Sequence, residues 1–428
     1  MRGGELFAAL RERRFRLLWF GQATSTLGDG LVPVALAFAV IQTLDGSPTD
    51  LGLVLAAQTL PLVAFVLVGG VWADRLPRQM VMLVSDLIRC VVQATMAVLL
   101  LSGRAQLWEL VVLAAIYGTA QAFFQPAATG LVPATISPPR LQQANALLGL
   151  SRSLAFVVGP AVAGVIAAAT NPGSVFVVDS ATFAVSATSL ALLRLSRNRR
   201  EGERRSFLTD LKGGWHELIA HTWLWVIVAW AATFLGIVVA PWMTLGPVVA
   251  KESLGGAAAW GLIAAGWGVG TVTGGLVALR WKPVRPMLTC TLLCFLIAPA
   301  VALLALRAPA PLIATAQAIG GTGMGLFSAV WMTTLQQHVP EEALSRVSAW
   351  DWMGSFLFLP IGLIAAGPVA DLIGISTTLW ISVAWAVLST LAVLLVPSVR
   401  NLRRLDEPIE PERQLARLPG EPAEAFHG

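Results

Sequence analysis

The sequence predicts an all-α membrane protein of twelve transmembrane helices, built as two six-helix bundles related by a pseudo-twofold axis along the membrane normal. Three observations carry this. Charged residues make up 12% of the 428-residue chain and apolar residues 56%, whereas a soluble domain carries about 25% charged residues. Apolar runs of about 20 residues, the length that crosses a hydrocarbon core of roughly 30 Å, recur along the chain. The two halves also align at one offset of 205 residues, Gly69 falling on Gly274.

Spans are expected at 17–42, 51–72, 80–102, 107–131, 145–169, 174–193, 223–248, 257–279, 286–306, 311–334, 346–370 and 375–396. The first is too long for a signal-peptide core and no small-residue cleavage site follows it. Sidedness comes from arginine and lysine, which concentrate in cytoplasmic segments. The amino-terminal segment, the breaks after even-numbered spans and the carboxyl tail hold 24 of the 29 basic residues, and the opposite breaks hold 3, Arg104, Lys251 and Arg307. Both termini are therefore expected in the cytoplasm, in a multi-pass protein of the inner (plasma) membrane.

The longest break divides the spans six and six. The expected organisation is a first bundle at 1–193, a cytoplasmic linker at 194–222, a second bundle at 223–397 and a disordered cytoplasmic tail at 398–428. The linker opens with six arginines between Arg194 and Arg205. Phe207, Leu208, Leu211, Trp215, Leu218 and Ile219 then recur at helical spacing, which predicts an amphipathic helix at the inner surface.

At the 205-residue offset GGVWADR from Gly69 meets GGLVALR from Gly274, Arg75 falls on Arg280, Gly118 on Gly323 and Gly149 on Gly354. Six plus six spans in one orientation fit a parallel repeat, the arrangement of transporters that rock two halves about a central site. The break GGVWADRLPRQ between spans 2 and 3 resembles the signature of the major facilitator superfamily, G-x-x-x-D-R-x-G-R-[RK], with Gly70, Asp74, Arg75 and Arg78 in place. Pro77 replaces the second glycine and Gln79 the last basic residue. The stretches FRLLWFGQATSTLGDGL, AFFQPAATGLVPATISPPRLQQANAL and RVSAWDWMGSFLFLPIGLIAAGPVAD are similar to the branch that holds the enterobactin exporter and macrolide efflux pumps.

The resemblance implies the two-bundle fold, drug:proton antiport, and a gate in which Asp74 latches onto Ser345 and Arg346 at the start of span 11. Two departures limit what it carries. In the span-5 antiporter signature Gly159, Pro160 and Gly164 match, but Ala146, Ala155 and Ala163 stand where glycines are expected. The span-4 arginine is missing, because LVVLAAIYGTAQAFF holds no basic residue.

Asp29, in STLGDGLVP near the middle of span 1, is the strongest candidate for chemistry. A carboxylate at a helix centre costs roughly 2.5–3.5 kcal/mol on insertion, so its presence points to function. It could exchange a proton or bind a cationic substrate; the alternative is a structural carboxylate in a helix bent by Gly28, Gly30 and Pro33. Asp86 and Arg89, with Gln93 on the same face of span 3, suit an intrahelical ion pair continuing the polar loop before it. Arg152 in span 5 and Asp351 in span 11 are expected near the cytoplasmic face as gate contacts, and Asp179 and Asp371 near the outer ends, without a role. Trp230, Trp267 and Trp331 lie deeper in their spans and could offer flat surfaces to a lipophilic substrate, or simply pack. Span 8, with eight glycines in GGAAAWGLIAAGWGVGTVTGG, is expected to slide on span 5 through Gly159, Gly164 and Gly268.

The function these residues predict is secondary active transport, exporting lipophilic or amphipathic, drug- or macrolide-like small molecules by proton antiport through alternating access. The expected partners are substrate, protons and the bilayer, without nucleic acid, in a monomer. Gly-Lys occurs nowhere, which excludes a P-loop. Four histidines and three cysteines form no ligand-spaced set, so neither metal, cofactor nor enzymatic activity is expected. A siderophore or metabolite exporter of the same fold, which would need basic cavity residues, and a non-transporting receptor or assembly factor are the alternatives.

Overall fold

The computed structural model describes residues 7–75, 77–193 and 207–404. Among the described residues twelve helices are long and apolar enough to cross a membrane: Arg13–Thr43, Pro48–Phe65, Arg78–Leu101, Leu107–Ala134, Pro138–Ala169, Pro172–Ala191, Thr222–Leu254, Ala257–Ala278, Pro286–Ala305, Ala310–His338, Arg346–Ile373 and Ile375–Leu395, spans 1 to 12 in order. This is a multi-pass membrane protein.

The helix ends follow local chemistry. Asn171 caps span 6, its side chain accepting from the Gly173 N–H at 2.7 Å, with Pro172 at the first helical position where no N–H is needed. Gln106 and Glu109 form a capping box on span 4. Gly255, at φ 98°, ends span 7 in the left-handed region that a side chain would disfavour.

Packing repeats between the halves. Span 1 lies on spans 5 and 6, span 2 on span 4, and span 3 on span 6; span 7 lies on spans 11 and 12, span 8 on span 10, and span 9 on span 12. Adding six to each span number maps one set onto the other, as a pseudo-twofold axis requires. The bundles meet through spans 5 and 8 and through spans 2 and 11, two pairs that the same axis exchanges.

Close backbone approach makes these contacts. A Cβ on Gly164 would sit 2.7 Å from the Ala257 carbonyl oxygen, one on Gly261 would sit 2.6 Å from that of Pro160, and one on Gly268 would strike that of Phe156. Gly159 is not part of this seam: it faces Gly30 of span 1 inside the first bundle. Nor does all of span 8 slide on span 5. Gly266, Gly270 and Gly274, one turn apart, bring it against span 10 within its own bundle.

The described ends of the chain share one side. Glu12 accepts from Ser137 and Arg140 of the 4–5 connection, and the Arg404 N–H bonds the Val284 carbonyl of the 8–9 connection. On the far side the bundles are joined. Spans 1 and 7 both finish there in a π turn, Ala39–Thr43 and Ala250–Leu254. Lys251 Nζ donates to the Ile41 carbonyl and pairs with Asp45 at 3.0 Å. The backbone of span 11 at Leu363 closes on Gly52 of span 2, and Thr49 meets Asp371 at 3.5 Å.

Two expectations are corrected here. Helix runs without a break from Glu341, after Pro340, so Ser345 and Arg346 lie a turn inside the helix and not at its start. The linker helix Phe207–Ala220 packs on this helix, with Trp215 and Trp350 rings 4.9 Å apart and Gly214 against Arg346. Residues 398–404, expected in the tail, remain attached: Pro397–Arg400 is helical and the Arg403 carbonyl meets His338 at 3.2 Å. The arginine run at 194–205, the tail beyond 404, and the side chains of Gly70, Asp74, Arg75 and Ser345 lie outside the described residues, and the proposed Asp74 latch with them.

Candidate functional site

Span 1 carries Asp29 between two glycines, and each clears a neighbour. A Cβ on Gly28 would collide with the Asp179 carboxyl and the Thr182 hydroxyl of span 6; one on Gly30 would sit 2.6 Å from the Ala155 carbonyl of span 5. With those two directions occupied by backbone contact, the intervening residue turns toward spans 3 and 4. There Asp29 Oδ1 accepts from the Tyr117 hydroxyl, and Oδ2 lies 3.6 Å from Arg89 Nη1.

Arg89 is the centre of the site. It is fully buried, its guanidinium held between the rings of Phe124 and Phe183 at 4.2 and 4.4 Å. Planar stacking of this kind suits arginine and not lysine. Nη2 donates to Asp86 Oδ1, and Asp86 Oδ2 accepts from the Ser186 hydroxyl at 2.6 Å. Asp179 completes the cluster from span 6, its Oδ2 2.5 Å from the Gln93 amide and its Oδ1 3.2 Å from the Thr182 hydroxyl.

Burial sorts the three carboxyl groups. Asp86 and Asp179 are 0% exposed, whereas the Asp29 side chain is 24% exposed and is the least buried of the three. Its ion pair is also the looser one. At 3.6 Å Nη1 is beyond hydrogen-bond reach, and it has no other acceptor among the described residues.

The structure thus joins Asp29 to the Asp86–Arg89 pair, a link that spacing along the chain does not show. Asp86 and Arg89 form the intrahelical pair, but they point into the first bundle and not to the loop before them. Arg89 is also a basic residue at the middle of span 3, and it is fully buried. Asp179 does lie nearer the outer end of span 6, but it is sealed because span 6 is turned toward spans 1 and 3. Tyr117 was missed, although it is the one tyrosine in the chain and lies within the span that lacks the family's arginine.

The other candidates lie elsewhere. Trp331 donates to Asp351 at 2.9 Å and stacks on Phe327, so Asp351 is tied inside the second bundle instead of reaching a gate. Trp230 is buried beside Phe327 and donates to Ser389 at 3.2 Å. These indoles pack because each N–H finds an acceptor within the bundle. Trp267 is half-buried on span 8, and Arg152 is exposed without an ion pair among the described residues. Arg78 donates to the Gly130 carbonyl at 2.6 Å, and Gln79 donates to the Leu190 and Leu193 carbonyls at 2.7 and 2.6 Å. Both side chains thereby satisfy carbonyls at the ends of spans 4 and 6, where helices have them to spare.

A family model described as the Major Facilitator Superfamily matches residues 18–362. The chain belongs to this superfamily. It is therefore a transporter and not an enzyme. It is similar over its length to a multidrug efflux pump, Tap, of Mycolicibacterium fortuitum, 28% identical and covering 92% of this chain and 98% of that one. Macrolide efflux protein A of Streptococcus pyogenes is 22% identical, covering 92% of this chain and 97% of the relative. Among solved structures, the nucleoside transporter NupG superposes with a TM-score of 0.72 at 13% identity over 89% of this chain and 98% of that one. A bacterial homolog of the lysosomal transporter Spinster, inward-facing and unoccupied, gives 0.71 at 14% over 93% and 99%. At such identities both support the superfamily fold alone.

Proposed function

We propose that this protein exports lipophilic or amphipathic small molecules, of drug or macrolide type, by proton antiport through alternating access, in a plasma membrane with both termini cytoplasmic. The observation that carries this reading is Asp29: a half-buried carboxylate at the middle of span 1, loosely paired with a sealed arginine. The efflux relatives supply the substrate class, and the distribution of basic residues supplies the sidedness.

The chemistry follows from charge. With Asp29 ionised, Arg89 balances part of two carboxylates and draws span 1 toward span 3. A proton on Asp29 removes that attraction and leaves Arg89 to Asp86, while Tyr117 still bonds a neutral acid. Span 1 then moves against spans 5 and 6 on the flat faces at Gly28 and Gly30. Proton uptake and bundle movement are thus linked through the differential interaction that any such coupling requires. Arg89 is too deeply enclosed to meet an anionic ligand, so the geometry lends nothing to a siderophore.

The test is transport in proteoliposomes under an imposed pH gradient against a chemically varied panel, with Asp29→Asn beside wild type. Substrate-dependent proton flux is expected in wild type, with active export reduced at least about tenfold, ~1.4 kcal/mol, in the variant and binding retained. Export by Asp29→Asn at the wild-type rate would place coupling elsewhere; no flux for any substrate would favour a non-transporting role.

A further inference from the structure

We infer that the 8–9 connection and the segment after span 12 together form a binding site for the headgroup of an anionic phospholipid, in the leaflet on the side of the chain termini. The site needs no part of the antiport reading.

Two stretches far apart in the chain are fixed as one face. The Arg404 N–H bonds the Val284 carbonyl at 3.0 Å, and the Arg403 carbonyl meets His338 at the end of span 10. Val399 is fully buried, and the helix Pro397–Arg400 packs on the start of span 9. Arg400, Arg403 and Arg404 are thereby held beside Arg280, Lys282 and Arg285 of the connection, residues 279–285.

This charge is not neutralised by the protein. Neither stretch holds an acid. Arg404 is half-buried and the other five cations are exposed, and among the described residues none of the six side chains has an ion pair. Arg404 Nε is shielded from solvent with no acceptor among the described residues. The first bundle treats its cations differently: Arg140 pairs with Glu12, and Arg78 donates to the Gly130 carbonyl. At the 205-residue offset Arg78 and Gln79 fall on Pro283 and Val284, so the inward-reaching side chains of the 2–3 connection have no counterpart. A surplus of arginine on one side follows from sidedness alone. Arginines fixed side by side without a carboxylate repel one another, and a phosphate shared between their planar donors relieves that repulsion.

The apolar neighbours favour a lipid over a free anion. Leu279, Trp281 and Val284 are exposed and alternate with Arg280, Lys282 and Arg285. Trp281 suits the depth of the headgroups, where an indole has one apolar and one wet side. A phospholipid presents phosphate to the cations and acyl chain to these side chains, and basic clusters beside span ends attract such lipids.

The experiment uses the full-length protein in neutral detergent with phosphatidylglycerol or phosphatidylcholine added. Thermal unfolding is followed, and native mass spectrometry counts the lipid retained. Phosphatidylglycerol should raise the melting temperature by several degrees and stay bound, and phosphatidylcholine should do neither. Arg285→Gln, Arg403→Gln and Arg404→Gln combined should weaken the response at least about tenfold in lipid concentration. Arg11→Gln, Arg13→Gln and Arg14→Gln combined remove the same charge from the first bundle and should leave it unchanged. If the first combination fails to fold, Lys282→Gln with Arg285→Gln, both at exposed positions, decides by a several-fold weakening. Equal responses to the two lipids, or equal loss in both triple variants, overturns the site and leaves general surface attraction. The same stabilisation by inorganic phosphate at matched ionic strength overturns the lipid. A response that emerges only in Asp406→Asn with Glu407→Gln assigns the face to the chain's own acids instead.

Discussion

Arg89 Nη1 stands 3.6 Å from Asp29 Oδ2, while Nη2 of the same guanidinium is bonded to Asp86. One cation is therefore divided unequally between a half-buried carboxylate and a sealed one. The tight partner lies on the same helix as Arg89, and the loose partner lies on a different span. Span 1 is held by the weaker contact, and that contact is the less buried of the two.

Removing Arg89 tests whether the cluster is structural as well as functional. Arg89→Met leaves Asp86 buried without its cation, and breaking a buried pair in this way costs roughly 3–5 kcal/mol. Arg89→Lys keeps the charge but not the plane between Phe124 and Phe183, and should fall between the two. Thermal unfolding in detergent, ordered wild type, Lys, Met, is the expected result; equal melting temperatures would show that Arg89 contributes little to folding.

The seam between bundles makes a separable prediction. Gly268→Leu puts bulk against the Phe156 carbonyl of the opposite bundle, and Gly159→Leu puts it against Gly30 of the same bundle. The first should express and bind substrate yet transport poorly. The second should lower the melting temperature. Normal transport by Gly268→Leu, measured in proteoliposomes, would mean that spans 5 and 8 do not move past each other.

The far-side contact of Lys251 with Ile41 and Asp45 joins twofold-related π turns of spans 1 and 7. Lys251→Met removes both interactions, and the pair with Asp45 is exposed, worth about 1 kcal/mol or less. The expected result is a several-fold rise in the population opened on that side, read as spin-label distance between the ends of spans 1 and 7. An unchanged distance distribution would assign the closure to the backbone contact of spans 2 and 11 alone.

On the terminal side, the hydroxyl of Ser137, its backbone N–H and the Arg140 guanidinium hold the Glu12 carboxyl below the usual glutamate range. A lowered value in the folded protein means stability present above the unfolded value and lost as pH falls through the folded one. Glu12→Gln should therefore melt below wild type at neutral pH, and the gap should close on acidification below about pH 4. A gap that does not change with pH would show that Glu12 acts through packing.

Span number, the like-sided described ends and the two-bundle class were legible in the chain because each rests on a local quantity. A run of apolar residues, the end of that run and the placement of arginines can be read without knowing any neighbour. Asp29 was legible for the same reason, since an acid in the middle of a span is conspicuous wherever its side chain points.

The cluster around it was not. Span 3 shows its polar face in the sequence, but which residues of spans 1, 4 and 6 meet that face does not, because their apolar residues surround each helix too evenly to mark one side. Asp179 looked like an end residue because distance along a span was measured from its terminus, whereas rotation about the helix axis decides burial. Gly159 and Gly268 look alike in sequence, yet one clears span 1 of its own bundle and the other span 5 of the opposite bundle. The chain by itself determined that helices cross the bilayer and where the charges that they carry would be costly. Only the tertiary structure decided which of those charges share a site, because the low-dielectric interior makes each carboxyl group's state depend on the cation, amide or hydroxyl that another helix brings to it.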